Sequence, residues 1–385
     1  CNTLPGERYG RLKRVHNRYN REVNGYFLCD RGRFGAGFVN ASKRLNTAGR
    51  RNDDGRYDAI DPADALSEMA SACRGGKLGA IGSPRASVEA NYLLRKIVGS
   101  DAFCPGFSAA EQVLVNHALE LQRASPAITP DLPAIESADA ILVLGEDLTH
   151  TAPRIALALR QSVRNRAYAM AAELKLETWQ DAAIRNLAQD QRSPLYIAAV
   201  GDTRLDDVAA KRFSLAPGDI ARLGLDVAAA LAGNRAEDES GNADAAVIAE
   251  ALAGAERPLI VSGTGCGDAD VMAAAAGVAQ ALCEAGKPAM LCLTVPEANS
   301  LGQALLCGAD APPLTALARR VEAGDVETLI VLENDLYRRG PAETINRLLD
   351  IPHLVVLDLL DGPTTSASTL ALPAASFAEA EGTLV

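Results

Sequence analysis

From about residue 57 onward, short apolar runs alternate with Ala-rich amphipathic stretches, and each run ends in a Gly or acidic turn. That alternation predicts an α/β body. Strands are expected at residues 78–81, 140–144, 195–200, 258–261, 289–293, 328–332 and 353–357, with helices such as 153–163 and 271–285 between them. Those helical stretches are long enough for the crossovers that parallel strands require.

One pattern recurs. Ile141-Leu142-Val143-Leu144-Gly145-Glu146-Asp147-Leu148, followed by Pro153, resembles Leu329-Ile330-Val331-Leu332-Glu333-Asn334-Asp335-Leu336, followed by Pro341, at a constant offset of 188 residues. A duplication of Rossmann-like halves would produce this, and so would the shared grammar of any two βα units. Polar, Gly-rich residues at 232–244 and 48–55 read as linkers or exposed loops.

Charge separates the first segment from the rest. Residues 1–56 hold 13 Lys/Arg and 5 Asp/Glu, a balance of +8, whereas the remaining 329 residues carry −19 of the net −11. The basic charges do not repeat on a helical face and the body is acidic, which disfavours nucleic acid as a partner. A basic shell around an anionic thiolate cluster, or a solvated docking face, fits them better. At 385 residues and 48% hydrophobic content the chain holds enough apolar surface for two or three domains. No run reaches the roughly 18 apolar residues of a membrane span.

The eight cysteines show no paired spacing of the secreted kind, so reduced thiols are expected. Cys1 and Cys29 stand apart, because Cys29 lies in Leu28-Cys29-Asp30-Arg31-Gly32-Arg33-Phe34, a setting unusual for a core cysteine. Together they read as the tail of an iron–sulfur ligand set, in which several thiolates cluster and one lies far along the chain.

Other candidates are weaker. The loops at residues 79–87 and 263–268 each follow a predicted strand, and their glycines and backbone N–H groups suit either a phosphate or a tight turn. Neither carries a P-loop Lys, no G-x-S-x-G elbow occurs, and His16, His117, His150 and His353 have no ligand spacing. His150 reads as an exposed loop histidine, and Glu146, Asp147, Glu333 and Asp335 read as helix-capping groups. No catalytic residue is assigned.

Three stretches, Cys1-Asn-Thr-Leu-Pro-Gly-Glu-Arg-Tyr-Gly, Tyr26-Phe-Leu-Cys29-Asp-Arg-Gly-Arg-Phe-Gly and Leu372-Pro-Ala-Ala-Ser-Phe-Ala-Glu379-Ala-Glu-Gly382-Thr383, resemble the molybdopterin oxidoreductase superfamily. More closely, the whole chain resembles the family of the large iron–sulfur subunit, the G subunit, of bacterial NADH:quinone oxidoreductase, respiratory complex I. Residues 81–89, 143–149, 203–207 and 331–336 support the same match.

The resemblance implies two Rossmann-like parallel-sheet domains preceded by a small iron–sulfur subdomain. It assigns residues 1–55 to the remainder of a [4Fe–4S] subdomain, 56–137 and 257–385 to a discontinuous α/β domain, and 138–256 to an inserted one. Cys1 and Cys29 match the third and fourth ligands of that cluster, with the first two and further iron–sulfur clusters upstream.

True molybdenum enzymes of the superfamily commonly carry Lys two residues after the fourth cysteine, where this chain has Arg31, a broad fork in place of a point charge. Cys104 and Cys266 are only loose candidates for a molybdenum ligand, so molybdopterin is expected to be absent. The implied role is electron transfer and scaffolding, with a catalytic molybdopterin oxidoreductase of the formate dehydrogenase type as the alternative. Partners would be other subunits of the peripheral arm, on the cytoplasmic side of the bacterial inner membrane, with only indirect membrane contact.

Overall fold

The structure is a computed structural model, and it describes residues 1–52, 54–233 and 243–385. Most of the linker expected at 232–244 lies outside the described residues.

Among the described residues fourteen strands are formed: β1 (Thr3–Arg8), β2 (Arg11–Asn17), β3 (Gly49–Arg51), β4 (Tyr57–Ala59), β5 (Leu78–Ile81), β6 (Phe103–Cys104) and β7 (Ala140–Leu144) come first in the chain. They are followed by β8 (Leu195–Ala199), β9 (Lys211–Ser214), β10 (Pro258–Gly263), β11 (Met290–Thr294), β12 (Thr328–Leu332), β13 (His353–Asp358) and β14 (Leu370–Pro373). All seven expected strands are present. They are largely buried, and the continuous Val/Ile/Leu runs of β7 and β12 mark strands covered on both faces.

The chain forms two compact units, each discontinuous in sequence. The first comprises Cys1–Leu4, His16–Cys29 and His117–Pro296, and the second Pro5–Val15, Asp30–Asn116 and Glu297–Val385. The first unit holds a parallel sheet in the order β11-β10-β7-β8-β9. In the second, β6-β5-β12-β13-β14 are parallel, and β3 and β4 add an antiparallel edge beside β14. Both sheets therefore reverse strand order at one point, between β7 and β10 and between β12 and β5. In open α/β sheets such switch points are where ligands bind.

Two expectations are corrected. The return to the first-formed domain does not fall near residue 257, because Leu259 of β10 pairs with Ile141 of β7 and Met290 of β11 pairs with Leu259. The fully buried β7 needs a partner on each edge, and β10 supplies one of them. Residues 1–55 are likewise divided between the units, not gathered in one subdomain.

The stretch expected to be a linker at 48–55 contains β3, whose Arg50 pairs with Asp58 of β4 and with Leu370 of β14. Its exposed Arg50 and Arg51 conceal a strand held by ladder bonds, the Arg50–Glu68 ion pair and a bond from Arg51 to the Ala367 carbonyl. The hairpin β1-β2 has no counterpart among the expected strands. Its turn is Tyr9-Gly10, both at positive φ (56° and 71°), the combination that a two-residue primed turn demands.

Candidate functional site

Cys1 is exposed, Cys29 half-buried, and neither is in a disulfide. Their segments are tied together by Asn24, which is fully buried in the first unit. Its Oδ1 accepts from the Asn2 N–H at 3.0 Å, while its Nδ2 donates to the Phe27 carbonyl at 2.9 Å and to those of Asn2 and Arg18 at 3.4 Å. One carboxamide thus gathers the residue after Cys1 and the residue two before Cys29.

The segment is held against the helix Pro153–Ser162, whose Arg154 guanidinium lies 5.5 Å from the Phe27 ring centroid and pairs with Glu136 at 2.6 Å. Arg31 and Arg33 follow on the short helix Asp30–Phe34, in the second unit. Among the described residues no group of three or more His, Cys, Asp or Glu converges as a metal site.

The switch point of the first unit is filled from within. Glu146, two residues past β7 and 2% exposed, turns its carboxyl under the loop that follows β10. Oε1 accepts from the Gly265 N–H at 2.6 Å and Oε2 from the Thr151 hydroxyl at 3.1 Å. A Cβ on Gly265 would lie 2.6 Å from Oε2, and one on Gly263 2.5 Å from Oε1, so both glycines serve this close approach. Burial pushes the carboxyl above its ordinary value, and bonds from Gly265, Thr151 and Thr294 partly pull it back. The expectation that Glu146 caps a helix is therefore corrected. Asp147 is the cap, accepting from the Thr149 N–H at 3.1 Å. Two other donors of the loop are engaged, Thr264 N–H with the Thr294 carbonyl and Gly267 N–H with the Thr264 carbonyl.

The second switch point is filled differently. Asn334, fully buried after β12, donates from Nδ2 to the carbonyls of Gly82 and Gly106, each at 2.8 Å. Its Oδ1 accepts from Arg339 Nε at 3.0 Å, and that guanidinium reaches Glu297 at 2.6 Å and Glu111 at 3.1 Å. In the loop after β5 the Gly82 N–H donates to the Cys104 carbonyl and the Ser83 N–H to Asn91 Oδ1. The Arg85 N–H donates to Ser83 Oγ. Beside this crevice, burial raises the carboxyls of Glu333 and Asp358, and for Glu333 the neighbouring Asp358 adds to the shift.

Of the remaining candidates, His150 sits on the one-turn helix Leu148–Thr151 with its ring mostly exposed, 3.6 Å from Asp147. Cys104 lies buried in β6, where burial pushes its thiol up to about 12, so it does not offer a thiolate. The Cys266 thiol is also raised, by burial first, with Glu146 among the lesser causes. No local sequence pattern singles out Asn24 or Arg339. Asn334 does carry a signal, because it occupies the same place in the repeated stretch as Glu146.

No protein-family model matches the chain. It is 45% identical over 390 residues to the NADH-quinone oxidoreductase G subunit of Pseudomonas putida, covering all of this chain and 42% of that protein. Against the proteins of the same name in Salmonella typhimurium and Escherichia coli K12 it is 42% and 43% identical, covering 43% of each. The chain thus spans less than half the length of these relatives.

Among solved structures it resembles the formyltransferase/hydrolase complex of Methylorubrum extorquens, with a TM-score of 0.57 at 15% identity over 85% of this chain and 86% of that one. It also resembles acetylene hydratase of Pelobacter acetylenicus, with a TM-score of 0.56 at 12% identity over 96% of this chain and 61% of that one. At these identities the likeness concerns the fold alone, an α/β body built on parallel sheets.

Proposed function

We propose that this chain, which belongs over its whole length to the family of NADH-quinone oxidoreductase G subunits, is part of an electron-transfer and scaffold subunit of that complex, with Cys1 and Cys29 as iron–sulfur ligands. The observation that carries this reading is the Asn24 hub, which brings the backbone beside both cysteines to one buried carboxamide. A [4Fe–4S] cluster, when bound, supplies one-electron storage and transfer without bond chemistry on a substrate. This chain's own share is to present two thiolates and to fix their spacing through Asn24. Arg31 and Arg33, nearest to Cys29 in sequence, would offset negative charge there, which favours the more reduced state.

A phosphate-bearing pterin cofactor does not suit the residues at the two switch points. The N–H groups of Gly82, Ser83, Arg85, Thr264, Gly265 and Gly267 are engaged internally, and the carboxyls of Glu146, Glu333 and Asp358 put negative charge beside these loops. That favours the electron-transfer reading over a formate-dehydrogenase-type catalyst. Among the described residues no helix is long and apolar enough to cross a membrane. The likeness to subunits of a larger complex supports contact with the membrane through other subunits of the peripheral arm, on the cytoplasmic side.

The test is made in the intact protein within its complex. Cys29→Ala should remove one cluster signal from the electron paramagnetic resonance spectrum of the reduced complex, whereas an unchanged spectrum would overturn the assignment. Stoichiometric molybdenum in the purified complex would favour the catalytic alternative.

A further inference from the structure

The crevice between β7 and β10 has the form of an anion cradle that already holds an anion-forming group of its own chain. Its donors come from two places, the backbone N–H of Gly265 after β10 and the hydroxyl of Thr151 on the helix after β7, and Thr294 at the end of β11 closes it beside Gly263. Glycine at 263 and 265 leaves the space that the carboxyl fills, since a Cβ at either position would fall on its oxygens. Gly265 is exposed, so the cradle lies at the rim of the sheet, within reach of solvent once the side chain is gone. Among the described residues no Lys or Arg is paired with Glu146, so the donors around it, one backbone N–H and a Thr hydroxyl, are neutral.

We propose that this crevice is a binding site for a small carboxylate, occupied in cis by the Glu146 side chain, and that removing the side chain exposes it to a free carboxylate of the same size. The site lies at the position where open α/β sheets bind ligands. The acidic side chain thereby substitutes for a ligand and keeps the two halves of the sheet joined at the reversal, alongside the bond from Ser262 Oγ to the Leu144 carbonyl at 2.9 Å. This goes beyond the electron-transfer reading and does not depend on it.

Glu146→Ala in the full chain tests it by thermal unfolding at neutral pH in formate against chloride at equal ionic strength. The variant should melt lower than the parent in chloride and regain about 4 °C or more in formate, while the parent responds equally to both salts. In Glu146→Ala combined with Gly265→Ala, the added methyl occupies the carboxylate's place, and the formate response should vanish. A variant that melts equally low in both salts, or that stays unfolded in both, overturns the proposal. So does a formate response that persists in the double variant, because the anion would then be acting elsewhere.

Discussion

The two switch points hold corresponding residues to opposite electrostatic ends. Gly145 and Glu333 follow the last residues of β7 and β12, both at positive φ (77° and 42°). Their N–H groups donate to the next strand in the same manner, to Ala198 at 2.8 Å and Leu357 at 2.7 Å. The next residue is buried in each case, yet Glu146 in the first unit is a carboxyl surrounded by neutral donors, and Asn334 in the second is a carboxamide tied to a guanidinium. A buried acid without a cation bears the full desolvation cost and shifts toward its neutral form, whereas an amide does not titrate. One fold solution therefore has a charge state that depends on pH, and the other has its charges locked in a pair.

Breaking the locked pair should have the larger effect. Arg339 is nearly buried and faces Glu111 and Glu297, so Arg339→Met strands two carboxylates and the Asn334 oxygen. A loss of about 3 kcal/mol is expected in urea unfolding. A variant as stable as the parent would show that the guanidinium does not hold this crevice.

The titrating side is sharpened by Glu146→Gln. Because burial raises this carboxyl above its ordinary 4.5, the folded state holds its proton longer than the unfolded chain does. Its stabilising share is present below that ordinary value and is lost as pH rises through the raised one. Relative to the parent, Glu146→Gln should therefore gain stability with rising pH across that window, by at most about 1.4 kcal/mol per pH unit. Parallel stability curves for the two proteins would refute the shift.

The smallest difference lies in the backbone. Glu333 adopts the left-handed region that Gly145 adopts without cost. Glu333→Gly should raise stability by about 0.5 kcal/mol, the relief of strain being partly offset by a more flexible unfolded chain. Calorimetry that finds it clearly destabilised would mean the Glu333 side chain contributes contacts that outweigh the strain.

Much of the fold is legible along the chain. The seven buried strands have continuous apolar runs, and the repeated stretch at 141–148 and 329–336 matches two strands with equivalent places in their sheets. The short strands β3 and β9, next to and at a sheet edge, are not legible, because they carry exposed Lys and Arg in place of an apolar run. The boundary expected near residue 257 is misplaced because that stretch looks like any other strand start. Only pairing shows that β10 completes the sheet around β7.

The sequence by itself determined the α/β alternation, the basic first segment and the isolated pair Cys1 and Cys29, because composition and periodicity are local properties. Tertiary structure decided what those features do. Glu146 meets Gly265 across 119 residues and Asn334 meets Gly82 across 252, so whether a strand-end acid caps a helix or fills a crevice depends on a loop delivered from elsewhere in the chain. Asn24 is likewise one unremarkable Asn in a polar segment until folding places it between the backbone at Asn2 and Phe27. Hydrogen-bond satisfaction of a buried group is settled only once its partners are brought to it, and for these residues the partners come from separate segments.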